Sequence, residues 1–193
     1  MSLAPEEQGR ADFYGLLARL FYAPPDAALL AALASAGELP AEDDALAGRW
    51  HELSEAATKA DAEAVREEYE TAFVGTGHAP VTLYTAAYSI RYTNEVPLAE
   101  LRGELARLGL ARRSEVAEYE DHIAALCEIM RHLVAEQQRD LAEQRRFFER
   151  WIRPIAEPLC TAIEASEHTA FYKPVARLAK SFFSLEQTAF EML

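Results

Sequence analysis

The sequence predicts an all-α protein, a single-domain bundle of roughly eight to ten helices spanning residues 1–193. Apolar residues recur at spacings of three and four almost throughout, the period of one face of a helix. Alternating runs rich in Val, Ile and Thr, which mark half-buried strands, are nearly absent. With 193 residues, 50% of them hydrophobic and 26% charged, the chain has enough apolar material for one sizeable core.

The elements follow in order. Phe13, Leu16, Leu17, Leu20 and Phe21 share a face of a first helix, which must stop before "APPD" because paired prolines cannot continue it. Asp26 then caps a short helix, "AALLAALASAG", ended by Gly37. A helix near residues 43–58 follows the polar "ELPAEDD", and "DAEAVREEYETAFVG" makes another between the N-cap Asp61 and the stop Gly75. The glycines and proline of "VGTGHAPVTLYTAAY" predict a compact loop, then an aromatic cluster of Leu83, Tyr84 and Tyr88. "PLAELRGELARLGL" has Pro97 in its first turn and Gly109 at its end. The longest periodic run covers 114–140 with Ser114 as N-cap. Pro154 and Pro158 kink the next helix, which carries Phe147, Phe148, Trp151 and Ile155. A final amphipathic helix turns Phe182, Leu185 and Phe190 inward. No repeat or long linker divides the chain.

Composition excludes several function classes. The balance of 19 Lys+Arg against 32 Asp+Glu gives a formal charge of −13, which repels nucleic acid and anionic lipid and attracts basic peptides. The opening "MSLAPEEQGRADF" lacks an apolar h-region and a small-residue cleavage site, and nowhere is there the ~18-residue apolar run of a membrane span. The sequence therefore predicts a cytoplasmic protein with no stable membrane insertion. Cys127 and Cys160, without CxxC spacing, read as small buried hydrophobes.

The densest chemistry lies in "EVAEYEDHIAALCEIMRHL", residues 115–133. Read as one helix, it puts His122 on a stripe with Leu126, Ile129 and Leu133, at the edge of the buried face. Asp121 falls on the flank with Ala125, Glu128 and His132, and Glu118 stands one turn before His122. Carboxylates at a helix start favour the positive end of its dipole, so "EYED" also fits plain first-turn chemistry. A metal site needs three or four converging ligands, and no HExxH or paired ExxH pattern completes one. There is no GxSxG elbow, and the GTG at 75–77 is too short for a phosphate loop. The enzymatic alternative is a metal-dependent helical hydrolase using Glu118, Asp121 and His122.

"EYEDHIAALCEIM" resembles the E-P-x-D-H-(I/L) signature of the TorD/DmsD/NarJ family, cytoplasmic all-helical chaperones that mature molybdoenzymes. "DFYGLLARLFYAPPD" looks like that family's first helix, "EYETAFVGTGHAPVTLY" like its glycine-proline loop, and "FYKPVARLAKSFF" like its closing helix. These stretches stand in the right order and span the chain from Asp12 to Phe183. The resemblance implies a TorD-like fold, no catalysis, no cofactor of its own, and binding of an apo-molybdopterin oxidoreductase. Its twin-arginine leader would be held until cofactor insertion.

By the same resemblance Asp121 and His122, with Glu118 nearby, belong to a peptide-docking surface, and Phe73, Pro80 and Tyr84 line its apolar part. A leader with a basic n-region and an apolar h-region needs carboxylates beside an aromatic groove, so the physical chemistry agrees. Asp121 can accept guanidinium hydrogen bonds, and Tyr84 and Phe73 can bury apolar groups or stack on arginine. Two departures stand out. Tyr119 replaces the signature's proline, which allows an earlier helix start, and Tyr84-Thr85-Ala86 replaces (Y/W)-E-S, which removes a carboxylate. His122 would either titrate near neutrality beside Asp121 or serve as a hydrogen-bonded helix-start histidine. The chain is expected as a monomer or homodimer, with 75–82 a hinge for helix exchange.

Overall fold

The computed structural model describes residues 3–39, 44–75, 79–89, 97–112 and 118–192. Among these, ten α-helices are present: α1 (Pro5–Tyr22), α2 (Ala27–Ser35), α3 (Asp44–Lys59), α4 (Ala62–Tyr69), α5 (Ala86–Ser89), α6 (Pro97–Arg107), α7 (Ile123–Ala135), α8 (Leu141–Phe147), α9 (Arg153–Ala165) and α10 (Tyr172–Glu191). Two π-helical turns, Glu70–Val74 and Phe148–Ile152, extend α4 and join α8 to α9. No strand forms among the described residues, and the one extended pairing is an isolated antiparallel bridge between Tyr84 and His122. The protein is all-α, as its periodicity requires.

Most helix ends lie where local chemistry puts them. Asp26 accepts from the Leu29 N–H at 2.7 Å, and Asp61 accepts from Glu63 and Ala64 at 3.1 and 3.0 Å. Gly109, at φ 75°, closes α6 with Leu110 N–H donating to the Leu105 carbonyl at 2.8 Å and Gly109 N–H to Ala106 at 3.1 Å. Gly75, at φ 62°, ends the first π turn through a bond to the Glu70 carbonyl. The second π turn lies just before Pro154, and Pro158 sits inside α9. Prolines lack the N–H of a regular ladder, and a wider turn ahead of them accommodates the break.

Two expectations are corrected. The helix expected over 114–140 starts only at Ile123, because His122 is its N-cap and the chain before it turns. It also stops at Ala135, where Gln138 adopts a φ of 45° and Asp140 caps α8. Ser114 lies outside the described residues. Leu185, expected inside, is 38% exposed. Towards its C-terminus the buried stripe of α10 narrows to Phe182, Phe183, Glu186 and Phe190, which leaves Leu185 on the flank.

The residues group into two compact units, Met1–Tyr22 with Leu83–Ile155, and Ala23–Thr82 with Ala156–Leu193. In the first, α1 packs along α7, and Tyr14, Leu17, Leu20 and Phe21 of the one and Leu126, Cys127, Met130 and Leu133 of the other are buried. Gly15 permits the close approach: a Cβ there would stand 3.1 Å from Cδ of Arg131. In the second, α3 packs on α2 and α10, with Leu53, Val65, Ile163, Val175 and Phe182 buried. Both cysteines are buried thiols rather than disulfide halves, and burial pushes the Cys160 thiol up to about 12.

The start of α10 has no side-chain cap of its own. Glu68, on α4, supplies it: its carboxylate accepts from the N–H groups of Ala170, Phe171 and Tyr172 at 2.8, 3.0 and 2.8 Å. Glu68→Ala removes all three acceptors, so a loss of about 2 kcal/mol is expected in urea denaturation, more than an ordinary cap deletion. A loss below about 0.5 kcal/mol would mean that water replaces the carboxylate without cost.

Candidate functional site

The segment Glu118–His122 is fastened to residues 83–86 of the same unit. Ile123 N–H donates to the Leu83 carbonyl at 2.9 Å, and Thr85 gives both its N–H and its hydroxyl to the Asp121 carbonyl, each at 2.9 Å. The Tyr84 hydroxyl donates to Glu118, and the Tyr84 ring meets His122 edge-on, with centroids 5.2 Å apart. Tyr119, 52% exposed, lies beside Tyr84 at 6.3 Å and under the Arg112 guanidinium at 6.0 Å.

The adjacent carboxylates have opposite environments. Burial works against ionisation of Glu120, but the Arg102 fork, two hydrogen bonds of 3.1 Å, outweighs it and holds the carboxyl below its ordinary value. Asp121, only 6% exposed, accepts from the Ala86 N–H at 3.3 Å, and burial pushes its carboxyl above the ordinary value. It lines a cavity of about 220 Å³ with Thr85, Pro97, Glu100, Arg150, Trp151 and Ile155. The result is a buried carboxylate, held by backbone donors, on the wall of a cavity with aromatic and aliphatic sides.

His122 serves as the N-cap of α7: its Nδ1 accepts from the Ala124 N–H at 3.2 Å, which assigns the ring proton to Nε2. Burial lowers its pKa, with Glu118 acting in the opposite sense. Glu118, Asp121 and His122 are thus engaged with different partners, and among the described residues no group of three or more His, Cys, Asp or Glu is placed to hold a metal ion. Of the other expected site residues, Phe73 and Pro80 belong to the second unit. Phe73 is buried and edge-packed on Tyr69 and Tyr172 at 5.2 and 4.9 Å, whereas Pro80 is exposed.

The family model named nitrate reductase delta subunit matches residues 39–161, more than half of the chain. The chain belongs to that family. Its members, of the NarJ/TorD type, are molybdoenzyme maturation chaperones. The fold is similar to a crystal structure provisionally described as a redox enzyme maturation protein from Archaeoglobus fulgidus. That likeness has a TM-score of 0.58 and 19% identity, over 91% of this chain and 93% of the other. No curated protein sequence matches the chain significantly. No described helix is long and apolar enough to cross a membrane.

Within the family signature, Tyr119 in place of proline does not bring the helix start forward, since α7 begins after His122. Thr85, where the family has a glutamate, ties the loop to the Asp121 backbone. Sequence reasoning missed Glu100, Arg150 and Trp151, and the Arg102–Glu120 pair. Their partners lie 18 to 50 residues apart, and no local pattern announces such a pair.

Two outcomes follow. Because ionised Asp121 is disfavoured by its surroundings, Asp121→Asn, which keeps an acceptor for Ala86, is expected to raise the Tm at pH 7; a lower Tm would mean that the carboxylate is structural. His122, with a native pKa below its unfolded one, contributes stability that is present at neutral pH and lost as pH falls below about 6.5. Urea midpoints at pH 7.5 and 5.5 should therefore diverge more in wild type than in His122→Asn; equal divergence would remove His122 from the pH response.

Proposed function

We propose that this protein is a system-specific cytoplasmic chaperone that binds one apo-molybdopterin oxidoreductase and holds it for cofactor insertion before export. It binds the client's twin-arginine leader and turns over no substrate. The observation that carries this reading is Asp121, a buried carboxylate that accepts from the Ala86 N–H at 3.3 Å beside a cavity walled by Trp151 and Ile155. A carboxylate whose burial disfavours its charge gains from a cationic visitor, and a guanidinium entering the cavity would supply charged donors. The paired rings of Tyr84 and Tyr119, in the segments that carry Thr85 and Asp121, offer flat surface for the apolar residues that follow in a leader. The net charge of −13 steers such a basic segment inward.

The test is capture of the tagged protein's partners from its source lysate, run in parallel on Asp121→Asn, with mass spectrometry of what is retained. Wild type is expected to enrich one molybdopterin oxidoreductase carrying a twin-arginine leader. The variant should retain at least about tenfold less of it, the usual scale for losing one member of a desolvated charge pair. Retention of the same enzyme by both would move the docking site away from Asp121. Absence of any such enzyme would overturn the reading.

A further inference from the structure

We propose that Arg150 is a resident guanidinium occupying the seat that a client arginine takes, an inference that rests on the leader-docking reading above. Its surroundings are those of a bound arginine. One nitrogen of Arg150 donates to Glu100 Oε2 at 2.7 Å, and its Cζ lies 5.0 Å from the centroid of the Trp151 ring. The ring is held in place by its own N–H, which donates to Glu104 Oε2 at 3.1 Å. Glu100, Arg150 and Trp151 line the same cavity as Asp121. A carboxylate at one edge and an indole face below suit a planar, delocalised cation and suit an ammonium far less.

The seat is also one that Arg150 can leave. Its side chain is 51% exposed, and pairs in such surroundings hold weakly. Glu104, which Arg150 approaches to 4.0 Å, keeps Arg107 and Trp151 when Arg150 swings out. Glu100 has no other ion-pair partner among the described residues, so it is the carboxylate passed from the resident arginine to the client's. A competitor built into the site lowers apparent affinity in proportion to the time it is seated; nine-tenths occupancy weakens binding about tenfold. It also sorts ligands, because displacement is offset only by an incoming group that reproduces both contacts.

The experiment uses the full chain and two labelled synthetic peptides, one with two adjacent arginines before an apolar stretch and one with two lysines in their place. Affinities are read by fluorescence anisotropy. Arg150→Met, which keeps an apolar stem, is expected to tighten the two-arginine peptide about five- to tenfold and the two-lysine peptide less than about twofold. Arg150→Lys should fall between wild type and Arg150→Met. Arg153→Met makes the same charge change at an exposed position of α9 and should leave both peptides unaffected. Equal tightening of both peptides, or a gain matched by Arg153→Met, would reduce the effect to net charge and overturn the proposal. Weaker binding in Arg150→Met would make Arg150 a direct contact and overturn it as well. Unchanged binding in Arg150→Met together with loss in Asp121→Asn ends this inference and leaves the docking reading standing. If no variant binds either peptide, both fall.

Discussion

The first unit's chemistry depends on one short pairing, the antiparallel bridge between residues 83–85 and 121–123. Without it, Glu118–His122 would be an irregular segment ahead of α7 with no fixed direction. With it, the Asp121 carbonyl is used by Thr85 twice over, which rotates the peptide so that the Asp121 side chain turns to Ala86 and the cavity. The same pairing sets Tyr84 against His122 and Glu118, so one contact orients an aromatic ring, an acid and the helix cap together. Beyond the bridge, α7 continues into its packing against α1.

Glu120 and Asp121 show how neighbouring residues of like chemistry come to do different work. Glu120 is fully answered by Arg102, with Arg112 at 3.7 Å, and anchors the segment to α6. Asp121 meets backbone donors and the cavity, and these offset only part of the desolvation cost of its ionised form. An ion pair closed on itself holds both charges in place, whereas a carboxylate met by backbone donors alone keeps a charge with no counterion against it.

The helices were legible because their signals are local. Asp26, Asp61, Pro97 and Gly109 act within four residues of themselves, and each sits at the boundary it predicts. The start of α7 was not legible, since a histidine cap looks from the sequence like one more residue on a helical stripe. Its role follows from Leu83, some forty residues earlier, taking the Ile123 N–H. Asp121, His122, Glu118 and Tyr84 could be picked out by chemistry and resemblance, and the structure brings these four together. The walls of the cavity could not, because Glu100, Arg150 and Trp151 read separately as surface charges and a core aromatic. Leu185 failed for the reverse reason: periodicity gives a direction and not the extent of the surface that covers it.

The two buried thiols bear on a separate matter, the chemical durability of a protein whose family handles redox enzymes. Only a thiolate attacks a peroxide or a disulfide. With Cys160 pushed up to about 12 by burial, the thiolate is strongly disfavoured at pH 7, and the sulfur is in any case closed off from solvent. Cys127 is equally enclosed, on the core face of α7. Neither thiol is therefore placed to meet an oxidant while the unit that holds it stays folded.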